Sequence, residues 1–276
     1  MRGRRLTGWR RIANALWPPP GDPQIFGALD VDAHALRSFI GRARAAGHRV
    51  TPTHLVGRAV AHALEAVPEL NVQIRCARLI PRDAIEVFFI AAVAGGSDLS
   101  GIKVSNIDRK PAIDVARELA ERNARLQSGN DPDFARTKRM MDRLPPSLLR
   151  IALRAGAIVT EQLRREIPAL GLRRCPFGSA MVSSVGMLGL PQGFAPLAWM
   201  YDVPLLVLVG ELTEKPVAVD GRVEVREVLP IAATIDHRYA DGSHIGKLMA
   251  AFREYLAAPE RFEPALVSSV QRNAGT

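Results

Sequence analysis

The sequence has 276 residues, of which 47% are apolar, and its 37 basic and 28 acidic side chains give a formal net charge of +9. A chain of this length forms one large domain or two small ones, with enough apolar residues for a substantial core. The only cysteines, Cys76 and Cys175, exclude a disulfide framework and a cysteine-based zinc site as main features. The positive charge favours an anionic partner: nucleic acid, a membrane surface or a phosphorylated cofactor.

The arginine-rich N-terminus does not have the pattern of a targeting peptide. Its longest apolar stretch, 'IANALW', is too short for the apolar part of a secretory signal, and no apolar run in the chain approaches the ~18 residues of a membrane span. We therefore expect a cytoplasmic protein.

The first half of the chain predicts strands interleaved with helices. 'QIFGALDV' is typical of a strand, and Asp32 is placed to cap a helix that ends at Gly47. A second helix begins near Pro52 and ends before Pro68. Further strands are predicted at 'LNVQIRCARLI' and 'AIEVFFIAAVA', a short one within 'GGSDLSGIKVSN', and an amphipathic helix at 'AIDVARELAERNARLQ'.

Residues 131–174 differ from the regions around them and predict two helices. The second, 'PPSLLRIALRAGAIVTEQLRREI', is apolar almost all round, with a narrow polar stripe through Ser147, Arg150, Arg154, Glu161 and Arg165. Such a helix must cover its apolar surface with the protein, with a partner subunit or with an interfacial lipid layer. We favour packing within protein over a membrane contact through 143–165.

The last hundred residues have the pattern of strands followed by one helix. Asp220–Gly221, between 'KPVAV' and 'RVEVREVLPIAATID', is a strong signal for a two-residue hairpin turn. The closing helix is 'SHIGKLMAAFREYLAA'. Strands interleaved with helices, together with this hairpin, predict a mixed sheet.

'DHRYADGSH' places His237, Asp241 and His244 where the last strand passes into the last helix. Three interpretations are open from the residues alone. The first is a turn with His237 in the core, and the second is a metal site, because two histidines and a carboxylate can form an iron-binding facial triad. In the third, His237 is a general base that takes a proton near neutral pH while Asp241 orients it or holds the loop.

Two motifs resemble the catalytic domain of the dihydrolipoamide acyltransferases of 2-oxo acid dehydrogenase complexes and, more distantly, chloramphenicol acetyltransferase. The family signature His-x-x-x-Asp-Gly stands here as His237, Asp241 and Gly242, and the family's Ser-Asn-x-Gly-Met-x-Gly block stands as 'VSSVGMLG'. Weaker likeness extends to the front of the chain and leaves out about 131–175.

The resemblance implies an α/β fold of the two-layer α+β type, in which helices pack on a chloramphenicol acetyltransferase-like mixed sheet. It implies a single catalytic domain over 1–276, with an extra helical insert near 131–174. The implied reaction transfers an acyl group between coenzyme A and a thiol or hydroxyl acceptor in a ternary complex, without an acyl-enzyme. His237 would be the base, Ser183 would donate a hydrogen bond to the oxyanion, and Asp241 would fix the loop through an arginine such as Arg10 or Arg11.

Family members are trimers in which the acyl and acceptor channels meet between subunits. The resemblance therefore implies a homotrimer or an assembly of trimers, in which His237 and Ser183 could come from different chains. Acyl-CoA would be a substrate, no metal is expected, and the coenzyme A-binding residues are not indicated.

The sequence also departs from the family pattern. Ser184 stands where the family usually has asparagine, and a basic residue expected near Ala15 is missing. We find no lipoyl or peripheral-subunit-binding domain ahead of the catalytic part, and so expect no covalent lipoyl group on this chain. We expect either a lipoyl domain on another protein or a different acceptor, with the 131–174 insert capping the acceptor side.

Other functions remain open beside acyl transfer. The chain could be an inactive trimeric scaffold with the same fold. A Ser183-dependent hydrolase would need a Gly-x-Ser-x-Gly elbow, which 'VSSVG' lacks. Nucleic-acid binding would use the charge, but no basic surface interleaved with aromatic residues is predicted.

Overall fold

The computed structural model describes residues 21–75, 78–93, 98–127, 145–167, 174–198 and 201–263. Five α-helices lie in these ranges: α1 His34–Ala45, α2 Pro52–Ala66, α3 Ala112–Gln127, α4 Pro146–Ala157 and α5 Gly242–Ala257. Nine strands lie with them: β1 Gln24–Asp32, β2 Val72–Arg75, β3 Arg78–Pro81, β4 Glu86–Val93, β5 Asp98–Ser105, β6 Ala180–Ser184, β7 Leu205–Val209, β8 Thr213–Val219 and β9 Arg222–Asp236. The predicted helix at 'DPDFARTKRMMDRL' lies outside the described residues.

Seven of the strands form one mixed sheet, as the sequence predicts. Its order is β1-β9-β7-β6-β4-β5, and β8 pairs with the first half of β9. Strand β6 is parallel to both of its neighbours, whereas the other pairs in the sheet are antiparallel. The predicted hairpin turn is present between β8 and β9, with positive φ at both Asp220 and Gly221, the geometry of a type I′ turn.

Two predicted boundaries are wrong for identifiable reasons. The single strand predicted at 'LNVQIRCARLI' is a two-stranded hairpin of β2 and β3 that pairs apart from the main sheet. Helix α1 has Ala33 as its N-cap, and the Asp32 carboxylate accepts the backbone N–H of His34 at 2.8 Å. Asp32 therefore accepts one of the free N–H groups at the start of α1, although it lies one residue before the N-cap.

Helices cover one face of the sheet. The main core packs α1, α2, α3 and α5 against residues of β4, β6, β7 and β9 such as Val87, Val182, Val207 and Ile231. On the other face a smaller apolar cluster surrounds Met181, Leu206 and Leu208, and it includes Leu197 from the loop after β6. The two faces of the sheet are therefore covered very differently.

Helix α4 continues into a π-turn at Ile158–Gln162. The segment buries Ala157, Thr160 and Glu161, while Ile151 and Ile158 stay 63% and 54% exposed. The prediction that the apolar surface of this helix packs against protein is confirmed for one side of the helix only. None of the described helices combines the length and apolar character that a membrane-spanning helix requires.

Candidate active site

His237 follows the last residue of β9 and is exposed. Its backbone N–H donates to the carbonyl oxygen of Pro23 at 2.9 Å, which ties the turn to the start of the neighbouring strand β1. The interpretation that places His237 in the core is therefore wrong: the residue lies at the surface on a fixed backbone, where an imidazole can meet a substrate.

Asp241 is the N-cap of α5. Its Oδ1 accepts the backbone N–H groups of Ser243 and His244 at 2.9 and 3.1 Å and lies 2.7 Å from Nδ1 of His244. These hydrogen bonds, with the backbone of His244 first, lower the pKa of Asp241. The carboxylate therefore fixes the loop through the helix terminus and His244, whereas Arg10 and Arg11 lie outside the described residues.

The facial-triad interpretation needs His237, Asp241 and His244 to converge on one ion. Asp241 and His244 are in contact, but His237 lies in the turn that precedes the helix. Within the described ranges, no group of three or more His, Cys, Asp or Glu side chains is placed to hold a metal.

Ser183 lies near the end of β6 and is half-buried. Its neighbour Val182 packs into the core under the helices, whereas Met181 packs into the cluster on the opposite face. Because side chains alternate along a strand, Ser183 points to the same side as Met181, the face opposite the helices of the main core.

Ser183 and His237 lie at opposite ends of the sheet within one chain. Through the pairing of β6, β7 and β9, Ser183 is in register with Leu208 and Leu208 with Ala232. Strand β9 runs about 13 Å further, to Asp236, before His237 begins, and two strand spacings add about 10 Å across the sheet. A single chain therefore does not bring this serine and this histidine together.

The loop after β6 carries exposed apolar side chains. Met187 and Leu188 are 83% and 68% exposed. Phe194, 51% exposed, packs edge-on against Phe26 of β1 with ring centroids 5.4 Å apart. Large exposed apolar patches of this kind mark interaction sites.

A polar cluster that the sequence did not indicate lies at the end of the sheet where His237 is found; we call it the Glu161 cluster. Gln73 donates from Nε2 to Glu161 Oε2 at 2.8 Å and to the sulfur of Cys175 at 3.2 Å. Arg82 donates to the carbonyl oxygen of Asp202 at 2.5 Å. Burial raises the pKa values of Glu161, Cys175 and Asp202.

Beside this cluster, hydrogen bonds link residues 145–167 to the turn that holds His237. Arg75 donates to the carbonyl oxygen of Gln162 at 2.5 Å, at the end of the π-turn. Tyr239, two residues after His237, accepts the backbone N–H of Ile74 from the same hairpin at 3.3 Å. Residues 145–167 are therefore linked to the His237 end through the hairpin of β2 and β3.

Comparison with known proteins places this architecture in a class. Over 93% of its length the chain superposes on a probable dihydrolipoamide acetyltransferase from Listeria monocytogenes with a TM-score of 0.62 and 20% identity, covering 94% of that chain. The cubic core of the pyruvate dehydrogenase multienzyme complex superposes over 88% of this chain and 84% of its own, with a TM-score of 0.65 and 18% identity. Azotobacter vinelandii dihydrolipoamide acetyltransferase superposes over 88% of this chain and 84% of its own, with a TM-score of 0.63 and 18% identity. That structure was solved to examine the role of a serine, a histidine and an asparagine in the catalytic mechanism. The fold is thus that of the dihydrolipoamide acetyltransferase cores, which confirms the predicted fold class.

The sequence points the same way. Residues 169–263 match the model of the 2-oxoacid dehydrogenases acyltransferase (catalytic domain) family. The acetyltransferase component of the Mycoplasma capricolum pyruvate dehydrogenase complex is 31% identical over 78 residues, 28% of this chain and 17% of that protein. The corresponding component of the acetoin cleaving system of Bacillus subtilis is 23% identical over 214 residues, 77% of this chain and 43% of its own length. This chain therefore spans less than half of either relative, and its part that resembles the family's catalytic domain includes 'DHRYADG' and 'VSSVGMLG'.

Proposed function

We propose that the chain is a coenzyme A-dependent acyltransferase whose active site forms between two copies of the chain, within a homotrimer or an assembly of trimers. The observation that carries the proposal is the separation of Ser183 from His237. Both residues stand in family motifs, yet they occupy opposite ends of one sheet. A second copy packed on the exposed face around Met187 and Phe194 would bring its own His237 to Ser183.

In the proposed reaction the neutral imidazole of His237 accepts the proton of the acceptor's thiol or hydroxyl as this group attacks the thioester carbonyl of acyl-CoA. The hydroxyl group of Ser183 donates a hydrogen bond to the oxygen that becomes negative in the tetrahedral intermediate. The intermediate collapses, the carbon–sulfur bond breaks, and the imidazolium returns the proton to the thiolate of coenzyme A. Asp241 takes no part in proton transfer; it holds the loop through the N-terminus of α5.

The test is release of coenzyme A from acetyl-CoA with a panel of dihydrolipoamide, alcohols and amines. His237→Ala should reduce kcat by at least about a thousandfold, and Ser183→Ala by about a hundredfold, the usual loss for one oxyanion donor. His34→Ala, an exposed histidine at the start of α1, is the control and should leave the rate unchanged.

Equal rates for wild type and His237→Ala would contradict the enzymatic proposal. No release by the wild type with any acceptor would favour the inactive scaffold, in particular if calorimetry also shows no binding of coenzyme A.

We also propose that the insert caps the acceptor side, and that the acceptor is a dihydrolipoyl group on a lipoyl domain of another protein or a small alcohol. The link from Gln162 through Arg75 and the β2–β3 hairpin to Tyr239 supports this, because it places the insert at the His237 end. Deletion of residues 143–170 should change the order of preference among the acceptors while acetyl-CoA hydrolysis without acceptor stays the same. An unchanged order would contradict this role.

A further inference from the structure

The residues on either side of His237 are bound to each other. The Asp236 carboxylate accepts four hydrogen bonds from Arg238: the backbone N–H at 2.9 Å, Nε at 3.0 Å to each oxygen, and Nη2 at 2.6 Å. The Asp236 side chain is 3% exposed and that of Arg238 46%. Bonding to Asp236 raises the pKa of Arg238, so that the guanidinium keeps its charge.

The backbone is held at each of four consecutive residues through the turn. The N–H of Asp236 donates to Pro204 O at 2.9 Å, and that of His237 to Pro23 O at 2.9 Å. The N–H groups of Arg238 and Tyr239 both donate to Asp236, to its carboxylate at 2.9 Å and to its carbonyl oxygen at 3.0 Å. Two of the four backbone bonds that fix the His237 turn therefore end on Asp236.

We infer that Asp236 and Arg238 are positioning residues, a clamp that holds the His237 backbone so that its exposed imidazole meets the substrate at a fixed angle. This inference rests on the proposed function, because it concerns how the proposed base is oriented. A bidentate arginine–carboxylate pair is directional. Here its two members are separated along the chain by His237 alone. Residue 237 therefore stands at the apex of a short, rigid turn, and its side chain is exposed.

The geometry separates the clamp from an ordinary surface ion pair. Arg226, on the same strand, binds the exposed carboxylates of Asp32 at 2.7 Å and Glu224 at 3.0 Å, and it is 37% exposed. In the clamp, by contrast, the carboxylate is buried and the two bonded residues flank His237. Arg226 is therefore a matched control that changes an arginine–carboxylate pair without touching the His237 turn.

The test compares steady-state kinetics and thermal unfolding of Asp236→Asn, Arg238→Met and Arg238→Lys with wild type, His237→Ala and Arg226→Met. We expect Asp236→Asn and Arg238→Met to lower kcat by about ten- to a hundredfold, the size of loss that a misplaced catalytic group produces, with KM for acetyl-CoA within about twofold. Arg238→Lys keeps the positive charge but loses the bidentate geometry of the guanidinium, and its kcat should lie between those of Arg238→Met and wild type. Arg226→Met should equal wild type.

The outcomes separate this inference from the proposed function. If His237→Ala is as active as wild type, the proposed function is wrong. If His237→Ala is inactive while Asp236→Asn and Arg238→Met keep the kcat of Arg226→Met, the clamp does not position the base. Should either of these two variants fail to fold, Arg238→Lys decides: a reduced kcat at unchanged melting temperature supports the clamp, and a wild-type kcat overturns it.

Discussion

Glu161 is buried although the helical pattern of the sequence places it on an exposed polar stripe. Counted at the α-helical period, it joins Arg154 and Arg165 on a polar stripe. In the structure it is 1% exposed and accepts a hydrogen bond from Gln73. Glu161 lies within the π-turn at Ile158–Gln162, which holds more residues per turn than an α-helix and so moves its side chain away from the stripe counted at the α-helical period.

Burial of Glu161 predicts a pH dependence of stability. Because burial raises its pKa, the folded state binds the proton more tightly than the unfolded chain. This contribution therefore favours folding at low pH and is lost as pH rises above the ordinary glutamate range. Glu161→Gln should raise the melting temperature at pH 8 and have a smaller effect at pH 5. Glu121→Gln, exposed on α3, is the control; an equal effect of both substitutions at pH 8 would show that Glu161 does not titrate in this way.

His54 predicts the opposite pH dependence. It lies in the first turn of α2, where Nδ1 accepts the N–H of Thr51 at 3.2 Å, and burial lowers its pKa to about 4. The unfolded chain binds this proton near pH 6.5, so stability falls as pH drops from there toward pH 4, by ~3 kcal/mol at most. His54→Gln keeps an acceptor without the titration. In urea unfolding at pH 7 and pH 4.5 it should therefore lose less stability than wild type; equal losses would contradict the assignment.

At the scale of elements, one buried ionic network fastens three helices. Glu263, after α5, accepts from Arg58 of α2 at 2.9 Å, from Tyr255 of α5 at 2.5 Å and from the N–H of Ala112 at the start of α3 at 2.6 Å. Arg58 also donates to the carbonyl oxygen of Ile107 at 2.5 Å. The end of the described chain is thereby tied to the helices that carry the core.

Breaking this network should cost far more than breaking a surface pair. Glu263→Ala leaves the buried Arg58 guanidinium without its carboxylate, and we expect a loss of about 3–5 kcal/mol in the free energy of unfolding. Glu227→Ala removes the exposed pair with Arg37 and should cost about 1 kcal/mol or less. Urea unfolding of both variants measures the difference, and similar losses would mean that the Glu263 network adds little.

The sequence predicts those elements whose pattern of apolar residues and turn residues lies within the element itself. The Asp220–Gly221 turn, the mixed sheet and the strand that precedes His237 follow from alternation and turn residues. The pattern of the β2–β3 hairpin predicts one strand, since no glycine or proline marks a turn between Gln73 and Ile80. The Glu161 cluster and the Asp236–Arg238 clamp could not be predicted, because each depends on which side chains the fold brings together.

At the scale of the whole molecule, the helices of the main core cover one face of the sheet, and the smaller cluster around Met181 lies on the other face. Ser183 points to the side of the Met181 cluster, and the loop that follows its strand exposes Met187 and Leu188. His237 lies at the far end of the same sheet. The motifs that identify the two residues say nothing of this separation, because the distance between them is set by strand order and register.

The separation predicts that two inactive variants restore each other. Ser183→Ala chains keep His237, and His237→Ala chains keep Ser183, so a mixed oligomer contains interfaces that carry one intact residue from each. With random mixing of equal amounts in a cyclic oligomer, about one quarter of the interfaces should be intact, and coexpression should recover that share of wild-type activity. The double variant coexpressed with either single variant is the control and should recover nothing. If coexpressed single variants stay as inactive as each alone, while both still assemble, the serine and the histidine do not meet across an interface.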